Sequence, residues 1–155
     1  VKESEFFFNQ KTRDILIEKA KINLPDQFLK DWLVRSNEGL TAESIEKEYN
    51  MYADELKWSL IKSKLIKEQE MKIEHEDIME EARNMIRLQF AGSGFSGEQF
   101  ESSLDGFVTN YLQGENGENY RKVHTQVETQ KVYSFIKEKA TINEKTVGLE
   151  EFRKL

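Results

Sequence analysis

Between residues 41 and 91 the chain contains neither glycine nor proline, and aliphatic and aromatic residues recur through it at helical spacing. Ile45, Tyr49, Tyr52, Leu56, Leu60 and Leu65 follow one another mostly at steps of three or four, and Trp58, Ile61 and Ile66 widen the stripe. As one unbroken helix these 51 residues would span about 75 Å at 1.5 Å per residue, whereas a compact domain of 155 residues has a radius of gyration of only about 15 Å. Either the protein is elongated or the stretch folds back without the usual breakers. The pattern places the break at Gln69-Glu-Met-Lys-Ile-Glu-His-Glu-Asp77. There the β-branched Ile73 lies among charged neighbours, and Glu74, Glu76 and Asp77 suit a new helix N-terminus. Beyond it the apolar phase restarts with Ile78, Met79, Ala82, Met85, Ile86 and Phe90.

Glycine and proline punctuate the rest. Residues 1–24 run without a breaker to Pro25, and 26–38 run to Gly39. In that second piece Pro25 takes a first-turn position after Asn23, and Phe28, Trp32 and Leu33 are expected to share a face. Thr41 is the expected N-cap of the long stretch, with Glu43 and Glu46 early in the helix. Gly92, Gly94 and Gly97 mark a loop, Gly106 interrupts a short apolar segment, and Gly114 and Gly117 bound a polar turn at Gln113-Gly-Glu-Asn-Gly-Glu-Asn119. Residues 118–147 are again free of breakers, with Tyr120, Val123, Val127, Val132, Phe135 and Ile136 as their stripe. The best strand candidate, Thr141-Ile-Asn143, is too short for a sheet. These pieces predict an all-α protein of five or six helices. One design recurs: at Ala20-Lys-Ile-Asn-Leu-Pro-Asp26, at 69–77 and at Lys139-Ala-Thr-Ile-Asn-Glu-Lys145 a helix ends near a lysine, an Ile-centred connector follows, and acidic or capping residues come next.

Composition narrows the classes. Apolar residues make up 37% and charged residues 34%, enough for a thin core and much solvated surface, as in helical layers. A net charge of −6 argues against nucleic acid as a partner, because phosphate binding needs a basic face. No apolar run approaches a membrane span, no basic run suggests a membrane anchor, and no signal-peptide pattern opens the chain. The absence of cysteine excludes disulfides and thiolate zinc sites and is compatible with a reducing cytosol. Val1 rather than methionine opens the chain, which reads as a piece of a longer protein in which residues 1–155 form one domain.

Candidate chemistry is sparse. Gly92-Ser-Gly-Phe-Ser-Gly97 spells GxGxxG, but a dinucleotide fingerprint needs a preceding strand within a βαβ unit. Here a helix over 83–91 precedes it, so the segment reads as a loop. His75 stands among Glu74, Glu76 and Asp77, and adjacent helical residues do not converge on one metal. His124 and Glu128 share a face at i,i+4, but two ligands do not make a site. No metal, cofactor or catalytic residue is therefore expected, and no carboxylate is singled out by an apolar setting. Phe6-Phe7-Phe8 cannot all face one side of a helix. Phe90, Phe95, Phe100, Phe107 and Tyr111 cluster in and after the glycine loop, either as the small core of a hairpin or as a surface for other apolar groups.

In order and spacing the chain resembles the C-terminal domain of bacterial trigger factor, a ribosome-associated chaperone. The resemblance rests on Phe8-Asn-Gln-Lys-Thr-Arg-Asp-Ile-Leu-Ile-Glu-Lys-Ala20 followed by Ile22-Asn-Leu-Pro-Asp26, on Leu56-Lys-Trp-Ser-Leu-Ile-Lys-Ser-Lys-Leu-Ile66 with the acidic stretch 74–80, and on residues 123–140 with the tail 141–152. It covers nearly the whole chain, and residues 92–117 are longer and richer in glycine than the family pattern. It implies an elongated all-α domain with two protruding helical arms, a shape similar to that of the peptide-binding domain of related periplasmic chaperones, with the long breaker-free stretch split between the arms. It also implies a cytoplasmic chaperone domain that binds unfolded or nascent polypeptides through dispersed apolar patches and leaves room for self-association; the residues around the glycine loop, Met85, Phe90, Phe95, Phe107 and Tyr111, are the candidates for such contacts. The parent's ribosome-docking and prolyl-isomerase domains are not visible: no Gly-Phe-Arg signature occurs. The fragment would therefore touch the ribosome only through its parent and catalyse nothing. From another class, a helical adaptor with a fixed groove for one folded partner remains as the alternative.

Overall fold

The computed structural model describes residues 2–37, 39–91, 97–142 and 148, and among them it contains helices and no strand. Six α-helices follow one another: α1 (Lys2–Ala20), α2 (Asp26–Ser36), α3 (Ala42–Glu68), α4 (His75–Phe90), α5 (Glu98–Gln113) and α6 (Glu118–Lys139), with a single 3-10 turn, Glu115–Gly117, ahead of the last. The all-α expectation is met. In the third recurrence of the Ile-centred connector α6 ends at Lys139 as expected, and the residues beyond 142, apart from Gly148, lie outside the described residues.

The breaker-free stretch divides where the phase restarts, and each end is closed by local hydrogen bonds. At the start of α3, Thr41 caps as expected: Ser44 N–H donates to Thr41 Oγ1 at 3.2 Å and Thr41 N–H donates to Ser44 Oγ at 3.0 Å. At its end, Met71 N–H reaches back to Ile66 O at 3.0 Å and Glu70 N–H to Lys67 O at 3.3 Å. That pattern needs a left-handed residue between them, a place usually given to glycine. Here Glu70 occupies it with φ 49°, as Lys21 does after α1 with φ 48°. The chain thus ends two helices without glycine and accepts the steric cost of a Cβ in that region. After the connector, Glu74 N–H donates to Asp77 Oδ2 at 2.8 Å, so one of the acids at 74–77 satisfies an orphan donor of α4.

Two separate apolar clusters form. In the first, α2 packs on the N-terminal half of α3 through Leu33, Ile45, Tyr49 and Ala53, with Leu24, Leu29, Val34 and Leu40 at its edge. Tyr49 Oη donates to Asp26 Oδ1 at 2.6 Å, and burial first, then that carboxylate, pushes the phenol up to about 12. In the second, α4, α5 and α6 enclose Ile78, Ala82, Ile86, Phe100, Leu104, Val108, Leu112, Val123 and Val127. The two halves of the breaker-free stretch therefore serve different hairpins, α2–α3 and α4–α5. Trp58 and Val132 are buried outside both clusters. Trp58 of α3 stacks on Tyr133 of α6 with ring centroids 5.3 Å apart, Lys62 Nζ donates to Thr129 Oγ1 at 2.9 Å, and α1 lies on α3 with Arg13 paired to Glu55 at 2.8 Å.

Two expectations are corrected. Gly106 does not interrupt its segment: it lies inside α5, because a glycine with an ordinary helical φ only weakens a helix whose other positions are buried on one face. Phe28, Trp32 and Leu33 do not share an inward face. Leu33 is buried, while Phe28 is 65% and Trp32 48% exposed, because α3 meets α2 along the Leu29–Leu33 side. Pro25 sits one place ahead of the first helical residue, and its carbonyl accepts from Leu29 N–H at 3.0 Å.

A Cβ added at Gly106 meets nothing within 4 Å. Gly106→Ala should therefore raise stability by about 0.5–1 kcal/mol, read as a higher urea midpoint with an unchanged slope. Trp58→Ala should cost about 3–5 kcal/mol in the same assay; a cost under about 1 kcal/mol would show that the α3–α6 contact holds little.

Candidate functional site

Of the five residues singled out from the sequence, Met85, Phe90, Phe107 and Tyr111 fall in the α4–α5 hairpin, and the structure treats them differently. Met85 and Tyr111 are partly buried against the α4–α6 cluster. Phe90 at the end of α4 and Phe107 on α5 form a ring cluster with buried Phe100: Phe90–Phe100 centroids are 5.6 Å apart, Phe90–Phe107 6.2 Å and Phe100–Phe107 6.3 Å. Phe107 is 42% exposed. Phe95 lies outside the described residues. The aromatic set is thus part core and part surface, with Phe100 anchoring the sheet of rings from inside and Phe107 facing water.

The sequence reasoning missed most of the exposed apolar surface. Phe6 and Ile15 on α1, Phe28 and Trp32 on α2, Met51, Tyr52 and Leu60 on α3, and Leu88 on α4 all stand in solvent beside Phe107 on α5. They are distributed over five helices rather than gathered in one cavity. A signal for some of them existed. Each helix carries more apolar positions than one packing stripe can hold, and a residue at i+3 and i+4 from a buried one on both sides is the likelier to be packed. Tyr52 and Leu60 were read as part of the α3 stripe, yet α3 buries Ile45, Tyr49, Ala53 and Trp58 instead, because it changes partner from α2 to α6 midway.

Charged groups hold the outer faces. Arg83 on α4 donates to Asp105 of α5 at 2.8 Å and to Glu76 at 2.6 Å, and Arg87 grips Glu101 of α5 through two nitrogens at 3.2 and 2.9 Å. The Arg87 hydrogen bond holds the Glu101 carboxyl below its ordinary range. The Arg83–Asp105 and Arg87–Glu101 pairs join α4 to α5, and Arg83–Glu76 lies within α4.

One open cleft of about 570 Å³ lies between the α3–α4 connector, α4 and α6. Met71, Val127 and Phe135 supply apolar wall, Glu80, Glu81 and Glu138 acidic rim, and Lys72, Asp77 and Lys131 a mixed corner. In that corner Lys131 Nζ donates to Lys72 O at 2.8 Å and to Asp77 Oδ2 at 2.5 Å. The hydrogen bond from Lys131, then the Glu74 N–H, holds the Asp77 carboxyl below its ordinary range.

The histidines do not build a metal centre. His75 stacks on Tyr120 at 6.3 Å and His124 lies 6.4 Å from the same ring, while His124 Nδ1 stands 3.7 Å from Glu128 Oε1. No group of three or more metal-ligating side chains gathers among the described residues. No helix among the described residues is long and apolar enough to cross a membrane.

A family model described as probable trigger factor, C-terminal domain, matches residues 4–155. No curated protein and no solved structure matches the chain.

Since the folded-state carboxyl of Asp77 is lowered, its contribution to stability is present above the unfolded value of about 4 and is lost as pH falls through the folded one. Asp77→Asn should flatten the fall of stability below about pH 4, measured by urea unfolding across an acid pH series; a variant curve parallel to the parent's would remove Asp77 from the account.

Proposed function

We propose, on the premise that this chain belongs to the trigger factor C-terminal domain family, that it holds nascent or unfolded polypeptides on dispersed apolar patches and so delays their misfolding. The family is a chaperone family, and its C-terminal domain is distinct from the prolyl-isomerase domain. In this reading, ribosome contact and isomerase activity belong to other parts of a trigger factor, and the working compartment is the cytoplasm.

One observation carries the reading: among the described residues nine large apolar side chains stand exposed on five of the six helices, in a chain of which 34% of residues are charged. A single deep site would select one ligand. Scattered aromatic and thioether groups instead offer many weak contacts to any chain that exposes apolar segments, and a methionine such as Met51 adapts to varied partners. The charge between the patches keeps the holder itself soluble. Each partly exposed ring gains from further burial at about 25 cal/mol per Å², so the affinity of any one patch is low and release is easy. Among the expected residues, Phe107 and Phe90 fit such contacts best. Phe28, Trp32, Met51 and Leu88 join them.

Aggregation of several unrelated unfolded proteins, followed by light scattering, should be suppressed at micromolar levels of this chain. Phe107→Ser and Trp32→Ser should each weaken binding of an unfolded client by about 1 kcal/mol, or about five-fold, with the helical circular-dichroism signal retained. Capture of one folded partner and of no unfolded chain would instead establish the adaptor reading. Unfolding of the Phe107→Ser variant would place that ring in the core.

A further inference from the structure

The helices fall into two halves, α1–α3 and α4–α6, each with its own apolar cluster. Among the described residues the Trp58–Tyr133 stack, the Lys62–Thr129 hydrogen bond and the connector of residues 69–74 join them. Both ends of that connector are closed by their own helix caps, the left-handed turn at Glu70 and the Glu74–Asp77 bond. The torsional freedom that remains lies at Met71, Lys72 and Ile73, and Ile73 packs against the α4–α6 cluster. Hinges are a few such element-terminal residues that absorb a change in φ and ψ.

We propose that Lys131 is a latch on this hinge, fixing the direction in which the α1–α3 half leaves the α4–α6 half. Its single ammonium reaches from α6 to the Lys72 carbonyl on the connector and to Asp77 in the first turn of α4. The carbonyl bond holds the middle of the hinge, and the carboxylate bond orients the ammonium toward it. An ammonium has three donors, so both bonds can form at once. The group is only partly exposed, with side-chain exposures of 34% for Lys131 and 33% for Asp77. The other two attachments, at Trp58 and Lys62, lie one turn apart on α3 and ahead of its end. Lys131 also lines the cleft, so release of the latch changes the width of that cleft. This inference rests on the connector geometry and is independent of what binds the apolar patches.

The chain has no cysteine, so spin labels at Met51→Cys on α3 and Ser102→Cys on α5, both exposed, report one distance between the halves. In Lys131→Met the distance distribution should roughly double in width while the circular-dichroism spectrum stays unchanged, and Lys131→Arg should restore the narrow distribution. Asp77→Asn, whose amide oxygen can still accept from Glu74 N–H, should broaden it to an intermediate degree. Distributions that match the parent's in both Lys131→Met and Asp77→Asn overturn the latch. So does unfolding of both variants, which would make the pair part of the fold's minimal core.

Discussion

The contact between Trp58 and Tyr133 is the constraint on which this architecture depends. Each half of the chain satisfies most of its apolar residues internally, α2 against the outer part of α3, and α4 and α5 against the first turns of α6. Neither half needs the other to fill its cluster. What joins them is that α3 is long enough to reach α6 after it has finished with α2, and that a large ring is waiting there on each side. Stacked aromatic rings contribute about 0.5–1.5 kcal/mol beyond their burial, and Lys62 and Thr129 add a directed bond one turn further on. The α3–α6 seam is narrow compared with the clusters it joins.

Much of this was legible in the residue pattern, and the reasons are local. The restart of the apolar phase at Ile78 and the carboxylates at Glu74 and Asp77 marked a helix boundary without any glycine or proline, because capping and dipole chemistry act within one turn. Thr41 was legible for the same cause. The stripes of α4 and α6 were nearly right, since Ile78, Ala82, Ile86, Val123, Val127 and Val132 are all buried. What could not be read was which of two competing faces a helix turns inward. Phe28 and Trp32 are as apolar as Leu29 and Leu33, and only the position of α3 decides between them. Tyr52 and Leu60 belong to a stripe that changes partner midway, which no single periodicity describes. Gly106 reads as a breaker by intrinsic propensity alone, and packing on Leu104 and Val108 overrides it.

The site followed the same rule. Reading aromatics near the glycine loop found the one hairpin where rings cluster, and there Phe107 faces solvent while Phe100 does not. It did not find the exposed residues of α1, α2 and α3, because an exposed apolar residue leaves no mark of its own in a sequence: it looks like core until a neighbour fails to cover it. For a chaperone domain this has a physical sense. A surface that grips many chains weakly needs apolar groups left over by packing, and helices with surplus apolar positions on two faces supply them without any dedicated motif.

The narrow seam also bears on the order in which the molecule is made. Both hairpins pair helices adjacent in sequence, and contacts of that kind form quickly because little chain has to be closed into a loop. The Lys62–Thr129 bond, by contrast, spans 67 residues, and its partner on α6 follows both hairpins in the chain. During vectorial synthesis, when an N-terminal part folds before the rest has emerged, the α2–α3 hairpin can be complete while the indole of Trp58 still has nothing to lie on. The chain then carries, for a time, an uncovered aromatic like those that stay exposed on its finished surface, and closing the seam on α6 is the step that covers it.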